Sequence, residues 1–253
     1  MKTKSERKRL DLLLVERGLA ESRHKAQAMI LAGEVEVDQH RTEKAGTLLR
    51  ETAHIEVHSR LQKYASRGGL KLEGALEDFR VSPAGKICLD VGASTGGFTD
   101  CLLQGGAARV YAVDVNTDQL SWKLRDDIRV VRIEKNAREL RAEDFPESAD
   151  LVVADVSFIS VKKILPGAVA CADSGADLLI LIKPQFELER HEVGKGGIVH
   201  EKALHEKAIA SVKQASEALG LVIAGFAPSR LPGAEGNQEY FLHARKSAKV
   251  ESR

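Results

Sequence analysis

The chain is most constrained by a series of short apolar runs that alternate with segments of helical period from residue 87 onward. The seven runs are Ile87–Val91, Val110–Val115, Ile128–Ile133, Leu151–Val156, Leu178–Ile182, Leu221–Phe226 and Tyr240–His243. Most of them are apolar on both faces, which is typical of strands in a largely parallel sheet covered by helices. The pattern therefore predicts an α/β fold in which a seven-stranded Rossmann-like sheet carries helices on both faces.

The link between the last two runs differs from the other links. It contains Pro228, Pro232 and Gly233 and shows no helical period. Because a parallel connection needs a crossover element, usually a helix, we expect strands six and seven to run antiparallel. An antiparallel last strand distinguishes the class I methyltransferase sheet from the dinucleotide-binding Rossmann sheet.

A glycine-rich loop, DVGASTGG at residues 90–97, directly follows the first run. A strand, a glycine-rich turn and a helix N-terminus can bind any adenosine cofactor, since small residues let backbone amides approach it. The loop lacks the GxGxxG pattern of nicotinamide sites, and Asp90 would repel a pyrophosphate but attract the cationic groups of S-adenosylmethionine. Asp114, which ends the second run, suits ribose hydroxyls. The loop favours S-adenosylmethionine, with a purely structural tight turn as the alternative.

Four charged residues lie at strand ends or loops of the predicted sheet. Lys71 begins a helical period that continues through Phe79 and that Pro83 is expected to end, whereas Asp155 and Lys183 lie at the carboxyl ends of the fourth and fifth strands. Glu239 precedes the seventh run. The carboxyl ends of adjacent strands are where open α/β sheets place ligands. Singly, such a lysine is usually an exposed charge and such an aspartate a helix cap, so the signal lies in their combination.

Methyl transfer to a ribose hydroxyl is a reaction that such a set can perform. The hydroxyl is a poor nucleophile and must lose its proton as it attacks the methyl carbon. Burial and a neighbouring cation both favour a neutral lysine amine, which can accept that proton. We predict that Lys183 is the base and that Lys71 supplies a second positive charge, while Asp155 and Glu239 orient the amines and the sugar.

A smaller module precedes the sheet. Its pattern predicts one helix from Arg9 to Glu16 that stops at Gly18, and a second helix that is capped by Ser22 and stops at Gly33. Alternating apolar residues then predict short strands at residues 35–37 and 55–57, with a polar turn at residues 38–41. We expect an α+β module of about 50 residues.

This module resembles the S4 RNA-binding domain in its helix openings, Arg9-Leu10-Asp11 and Ser22-Arg23, and in the stretch AGEVEV at residues 32–37. The resemblance implies RNA contact through Arg9, Arg23 and Lys25, whose charges would engage phosphates. The alternative is a small dimerisation or docking module whose basic residues keep it soluble.

The overall charge is consistent with a local RNA surface. The 253 residues carry a formal net charge of +1, so no overall positive field indicates a polyanionic partner. Basic residues are instead concentrated near the start of the chain, at Lys2, Lys4, Arg7, Lys8, Arg9, Arg17, Arg23 and Lys25. A solvated helix face would give the same concentration.

Cysteine usage and hydropathy bound the cellular setting. The three cysteines, Cys88, Cys101 and Cys171, show neither a CxxC pair nor metal spacing, so we predict no disulfide framework and no zinc site. No signal-peptide pattern is present, and no apolar run approaches the roughly 18 residues needed to span a bilayer. We expect a cytoplasmic protein without stable membrane association, and the sequence predicts no particular oligomeric state.

Taken together, the motifs identify the chain as similar to the TlyA family, in which an S4 domain precedes an FtsJ/RrmJ-like methyltransferase domain. The lysine, aspartate, lysine and glutamate at residues 71, 155, 183 and 239 resemble the KDKE tetrad of ribose 2′-O-methyltransferases. Further matching segments are SRGGLKL at 66–72, DVGASTGGFT at 90–99, ADVSFIS at 154–160, KPQFE at 183–187 and VGKGGIV at 193–199.

The resemblance implies cytidine 2′-O-methylation of ribosomal RNA within ribosomal subunits, in the large subunit and in some members the small subunit too, with S-adenosylmethionine and no metal. It also implies an S4-like domain at residues 1–59, a linker at 60–66, a methyltransferase domain at 67–253 and a further RNA contact at Arg67. The implied cofactor-binding residues are Asp90, Gly92, Ala93, Ser94, Thr95, Gly96, Gly97, Asp114, Asn136 and Asp155.

Three other functions compete with this interpretation. A membrane-active hemolysin, a label that the family also carries, would need a spanning segment, a strongly amphipathic cationic helix or a secretion signal. A non-catalytic RNA-binding factor would not need the four charged residues. A nicotinamide-dependent oxidoreductase is disfavoured by the glycine loop.

Overall fold

The structure, a computed structural model, describes residues 7–20, 22–31, 35–37, 40–42, 44–50, 52–57, 63–233 and 236–247. The chain divides into two compact units, residues 1–62 and 63–253. The division falls within the predicted linker at 60–66. Tyr64 is buried, and the Ala65 N–H donates to Asp100 Oδ2 at 2.7 Å, so the segment after residue 62 packs with the second unit.

The described residues of the first unit form two helices and five short strands. In chain order they are β1 (Arg7–Arg9), α1 (Leu10–Glu16), α2 (Arg23–Leu31), β2 (Val35–Val37), β3 (His40–Arg41), β4 (Leu48–Arg50) and β5 (Ile55–Val57). Antiparallel pairing joins β1 to β4 and arranges the other three strands in the order β3-β2-β5. The buried side chains of Leu10, Leu14 and Ile30 centre the core of this unit.

Both predicted helices of the first unit are confirmed, and so are the end signals at Gly18 and Ser22. Gly18 adopts φ +68°, a left-handed conformation that suits glycine after a helix end. Ser22 Oγ accepts a hydrogen bond from the Lys25 N–H at 3.2 Å, as an N-cap does. The predicted turn at 38–41 is wrong in its second half, because residues 40–41 form β3. Lys2, Lys4, Gly33, Asp38 and Gln39 lie outside the described residues.

The second unit carries the large sheet. Its elements are α3 (Gly68–Phe79), β6 (Ile87–Val91), α4 (Gly97–Gln104), β7 (Arg109–Asp114), α5 (Trp122–Arg125), β8 (Val130–Glu134), β9 (Ala149–Ala154), α6 (Leu165–Cys171), β10 (Ala172–Ile182), α7 (Pro184–Glu187), α8 (Lys202–Ala218), β11 (Leu221–Pro228) and β12 (Tyr240–Lys246). The strand order is β11-β12-β10-β9-β6-β7-β8, and β12 runs antiparallel to both of its neighbours. The predicted α/β fold and the antiparallel last strand are confirmed.

Some element ends differ from the sequence prediction. Helix α3 ends at Phe79, where Arg80 adopts φ +55°, so Pro83 is not the residue that ends it. Strand β8 begins at Val130, since the Ile128 side chain is 97% exposed. Strand β10 begins six residues before the predicted run and shifts register between Ala172 and Asp177. The intervening polar residues had concealed this first part.

Two apolar clusters cover the two faces of the sheet. Leu89 and Val91 belong to one cluster, whereas Cys88 belongs to the other, because successive side chains of β6 point to opposite faces. The central strands are therefore buried on both faces, as their continuous apolar runs predict. Parallel pairing of β6 with β9 and of β9 with β10 brings the carboxyl ends of these strands to one edge of the sheet, where the candidate site lies.

Candidate active site

The glycine loop after β6 passes close to the segment that follows β9. Gly92 adopts φ +90°, and a Cβ atom added there would lie 2.4 Å from the Asp155 carbonyl oxygen. The N–H groups of Gly92 and Ala93 both donate to the Val113 carbonyl, at 2.9 and 3.0 Å. The close approach of the Asp155 carbonyl and the positive φ both require glycine at position 92.

The end of the loop packs just as closely where α4 begins. Gly96 adopts φ +93°, and a Cβ atom there would lie 2.1 Å from Leu124 Cδ1. At Gly97 a Cβ atom would lie 2.2 Å from Ser66 Oγ. These glycines let the loop pack against α5 and against the segment before α3.

Asp90 lies beneath the loop. Its side chain is fully buried, and Oδ2 accepts a hydrogen bond from Thr99 Oγ1 at 2.6 Å. Oδ1 has no hydrogen-bond partner among the described residues. Burial raises the pKa of Asp90 to about 7, and the nearby carboxylate of Asp155 acts in the same direction. This carboxyl group therefore changes charge near neutral pH.

Two adjoining cavities open at the loop and share Gly92, Ser94, Asp155 and Ser157. The first extends towards Arg67, Lys71 and Lys183, and the second extends along the ends of β7 and β8. The predicted cofactor-binding residues that line them are Gly92, Ala93, Ser94, Thr95, Gly97, Asp114, Asn136 and Asp155. Asp90 and Gly96 are not on the cavity walls; they support the loop from below.

In the second cavity, side-chain oxygens hold the backbone of the wall. Asp114 Oδ2 accepts the Ser94 N–H at 2.9 Å, which ties the glycine loop to the end of β7. Asn136 Oδ1 accepts the Arg138 N–H at 3.1 Å and begins a short 3₁₀ turn after β8. The wall thus combines acidic and amide groups with apolar side chains such as Val115 and Ile159.

The four charged residues form two ion pairs. Lys71 Nζ lies 2.6 Å from Glu239 Oε2, and Lys183 Nζ lies 2.7 Å from Asp155 Oδ1. The side chains of Lys71, Lys183 and Glu239 are at most 12% exposed. Lys71, Lys183 and Asp155 line the first cavity, whereas Glu239 lies behind Lys71. The fold therefore brings together all four residues that the sequence singled out.

Local structure explains how each lysine reaches the cavity. Lys71 lies in the first turn of α3, which begins beside the glycine loop. Lys183 directly follows β10, and Pro184 begins α7, so the chain leaves the sheet at this lysine. Lys183 Nζ also donates to Ser157 Oγ at 2.7 Å. Sequence reasoning missed Ser157, although its position two residues after Asp155 at a strand end places both on one side of an extended segment.

The predicted RNA-binding residues have different surroundings. Arg9 donates to Asp11 Oδ1 and Oδ2 at 2.9 and 3.0 Å, and Arg23 donates to Oδ2 at 3.0 Å, so both arginines are bound to one buried carboxylate. Lys25 is exposed on α2, and Arg67 is exposed immediately before α3. Arg67 also lines the first cavity, beside Lys71.

Comparison with known proteins agrees with this geometry. The model of the FtsJ-like methyltransferases matches residues 64–246, and the model of the S4 domain matches residues 8–55. The 16S/23S rRNA (cytidine-2′-O)-methyltransferase TlyA of Mycobacterium tuberculosis is 47% identical over 94% of this chain and 90% of its own length. The chain belongs to the TlyA family of FtsJ-like methyltransferases. The chain is also similar to hemolysin A of Brachyspira hyodysenteriae, which is 45% identical over 93% of this chain and 98% of its own length.

A solved structure supports the same grouping. A putative hemolysin from Streptococcus thermophilus superposes with a TM-score of 0.77 at 38% identity, covering 98% of this chain and 93% of that one. Membership among the FtsJ-like methyltransferases makes S-adenosylmethionine the cofactor. The carboxylates of Asp114 and Asp155 on the cavity walls fit a ligand with cationic groups.

Two further features of the described residues concern metal ions and membranes. Within the described residues, no cluster of three or more histidine, cysteine, aspartate or glutamate side chains is arranged to hold a metal ion. No helix in that part of the chain combines the length and the apolar character that crossing a membrane requires.

Proposed function

We propose that the protein transfers a methyl group from S-adenosylmethionine to the 2′-hydroxyl of a cytidine in ribosomal RNA, within a ribosomal subunit. The observation that carries the proposal is the pair of lysine–carboxylate contacts beside the glycine loop, Lys183–Asp155 and Lys71–Glu239. Membership of the TlyA family supports the substrate, since the Mycobacterium tuberculosis relative is named for cytidine 2′-O-methylation of 16S and 23S rRNA.

The residues that would hold the cofactor are the loop at 92–97, Asp114, Asn136 and Asp155, with Asp90 supporting the loop from beneath. S-adenosylmethionine supplies the methyl group when it is bound. Asp114 fixes the backbone of Ser94, so the loop holds its shape before the ligand arrives. The boundary between the two cavities at Asp155 and Ser157 is where cofactor and substrate would meet.

Lys183 would act as the general base. Its side chain is only 10% exposed and lines the first cavity, from where the amine, once it has lost its own proton, would accept the proton of the ribose hydroxyl. Asp155 stabilises the ammonium group that forms when the proton arrives. Lys71 adds a second positive charge close to the reacting oxygen, and the buried Glu239 fixes its position.

The first unit would supply RNA binding, as its match to the S4 domain supports. Lys25 and Arg67 are exposed cations available to phosphates, and the side chains of Arg9 and Arg23 are 41% and 53% exposed although they are bound to Asp11. We assign residues 1–59 to this domain, 60–66 to a linker and 67–253 to the methyltransferase domain. A ribosomal substrate places the protein in the cytoplasm.

The test is to incubate the full-length protein with unmodified ribosomal subunits and methyl-labelled S-adenosylmethionine. The labelled nucleotide is then mapped in each subunit separately and in free RNA. We expect label on the 2′-oxygen of a cytidine. Label on a base, or no label in any RNA, would refute the proposal.

A further inference from the structure

The segment after β9 brings a second group onto Lys183. Ser157 Oγ accepts a hydrogen bond from Lys183 Nζ at 2.7 Å. Asp155 Oδ1 is equally close at 2.7 Å, but that oxygen has no donor in hydrogen-bonding geometry among the described residues. The carboxylate therefore supplies charge, whereas the Ser157 hydroxyl fixes the direction of the amine.

The backbone on one side of Ser157 is held against β6. The Asp155 N–H donates to the Val91 carbonyl at 3.0 Å, which continues the pairing of β6 with β9 by one residue. The Asp155 carbonyl lies against Gly92 so closely that no side chain fits between them. The start of this segment cannot shift without moving the glycine loop.

The other side is held by the helix after β10. Glu187 Oε2 accepts a hydrogen bond from Ser160 Oγ at 2.6 Å, and Oε1 accepts the Val161 N–H at 2.7 Å. Between these anchors, Phe158 adopts φ +62°, a left-handed conformation that is strained for a phenylalanine. The segment containing Ser157 is thus fixed at both ends, with a strained residue next to the serine.

The chemistry of an amine gives this hydrogen bond a consequence. A protonated lysine has three N–H groups, and a neutral lysine has two N–H groups and one lone pair. A hydroxyl that accepts a hydrogen bond from one N–H restricts rotation of the amine about its Cε–Nζ bond. The lone pair of the neutral amine then has few directions to point in. Ser157 also lines both cavities, so the hydrogen bond lies at their common boundary.

We infer that Ser157 is a positioning residue for the base. Its hydroxyl holds the Lys183 amine so that the lone pair faces the ribose hydroxyl that is to be methylated. The inference rests on the proposed function and deepens it: Lys183 takes the proton, and Ser157 sets the direction from which it does so.

The test compares Ser157→Ala with Ser157→Thr in the full-length protein on ribosomal subunits. For Ser157→Ala we expect a single-turnover methylation rate about ten- to a hundredfold lower, because the base loses its orientation. The Kd for S-adenosylmethionine and the KM for the subunits should stay within about twofold of wild type. Ser157→Thr keeps the hydroxyl and should recover most of the rate.

The matched control is Ser211→Ala. It removes a hydrogen bond of the same kind, in which Lys162 Nζ donates to Ser211 Oγ at 2.6 Å away from the cavities, and should leave the rate unchanged. The inference fails if Ser157→Ala methylates at the wild-type rate, if its loss of rate matches an equal loss of cofactor affinity, or if Ser157→Thr is as slow as Ser157→Ala. A wild-type protein that methylates no ribose would overturn the proposed function itself.

Discussion

The two units of the chain each contain buried ionic groups, and they use them differently. In the first unit one carboxylate, Asp11, is surrounded by Arg9, Arg23 and Gln27, which all hydrogen bond to its two oxygens. In the second unit Lys71 and Lys183 each have one carboxylate partner, and both line the first cavity. Asp11 is saturated with donors, whereas Asp155 Oδ1 is not.

This difference separates a structural ionic group from a reactive one. The Arg9 guanidinium, followed by Gln27 and Arg23, holds the pKa of Asp11 well below its usual range despite burial. A carboxylate held in this way stays ionised at neutral pH. Its role is structural, because it stabilises the unit and orients its arginines. Arginine also cannot give up its proton at neutral pH, whereas a lysine can act as a base once it is desolvated. The second unit accordingly pairs lysines with the carboxylates at its cavity, and one of their oxygens, Asp155 Oδ1, has no hydrogen-bond donor among the described residues.

The largest effect should come from Lys183→Ala. Loss of a general base typically slows proton transfer by about a hundredfold to ten-thousandfold, and we expect single-turnover methylation to fall within that range. Calorimetry should show an affinity for S-adenosylmethionine within a few-fold of wild type. Lys86→Ala is the control, since it breaks a lysine–aspartate pair, Lys86–Asp177 at 3.0 Å, whose two residues line neither site cavity. A Lys183→Ala protein that methylates at the wild-type rate would disprove the assignment of the base.

Asp11→Asn tests the structural role of the buried ionic group in the first unit. The variant should lower the free energy of unfolding of the first unit by about 1–3 kcal/mol at pH 7, since it weakens several charge-assisted hydrogen bonds. A carboxyl group with a lowered folded-state pKa stabilises the fold above its unfolded pKa of about 3.9, and the contribution is lost as pH falls towards the folded value. Hydrogen exchange of the α1 amides should therefore differ between the two proteins at pH 7 and converge at low pH.

Glu16→Gln provides the matched control for Asp11→Asn. It changes an acid on the same helix whose side chain is 50% exposed and pairs with Lys8 at the surface. We expect little change in α1 exchange, because surface ion pairs contribute little to stability. Equal effects of the two substitutions, or a difference between Asp11→Asn and wild type that persists at low pH, would show that Asp11 is not the ionic centre of the unit.

The large sheet could be predicted from the sequence because strands that are buried on both faces consist of continuous apolar residues. Strand β6 matches its predicted run residue for residue, from Ile87 to Val91. Where burial is incomplete the pattern fails. Strand β1, with the sequence RKR, and its partner β4, with the sequence LLR, contain no fully buried residue, and neither sequence alternates apolar with polar residues. Their pairing depends on long-range hydrogen bonds that no local period encodes.

The candidate site also combines features that local sequence predicts with features that depend on long-range contacts. Strand ends and the glycine loop are local signals, so Asp155 and Lys183 could be placed at one edge of the sheet from the sequence. The pairing of each lysine with its carboxylate could not be predicted, since Lys71 and Glu239 are 168 positions apart and meet only in the folded chain. The binding of Arg9 to Asp11 also requires tertiary structure, and it gives a residue predicted for RNA contact a second, structural task.

A smaller effect on the catalytic unit is expected from Gly233→Ala. A Cβ atom at this position would lie 2.5 Å from Glu239 Oε1, so the methyl group should push the carboxylate away from Lys71. We expect single-turnover methylation to fall about tenfold, because the second cation loses its fixed position. Gly225→Ala is the control, since its Cβ would meet Phe79 at 3.4 Å, an ordinary contact. Wild-type rates in Gly233→Ala would mean that Glu239 need not be held in place.

The smallest effect should come from Lys25→Gln, and it tests where the first unit contacts RNA. Lys25 is exposed and has no ionic partner among the described residues, so its loss should leave stability unchanged. If it contacts a phosphate, the affinity for ribosomal RNA should fall a few-fold and the slope of log affinity against log salt should decrease by about one.

Arg23→Gln provides the contrast to Lys25→Gln, because it should reduce both RNA affinity and the stability of the first unit through its bond to Asp11. Lys213→Gln, on the exposed face of α8, should change neither quantity. An unchanged salt slope in Lys25→Gln together with a lower slope in Arg23→Gln would assign RNA contact to the arginines that Asp11 holds, and unchanged slopes in both variants would disprove RNA contact by these residues. The structural ionic group would then also orient the RNA-binding surface, and the separation between the two kinds of ionic group would apply only to the catalytic unit.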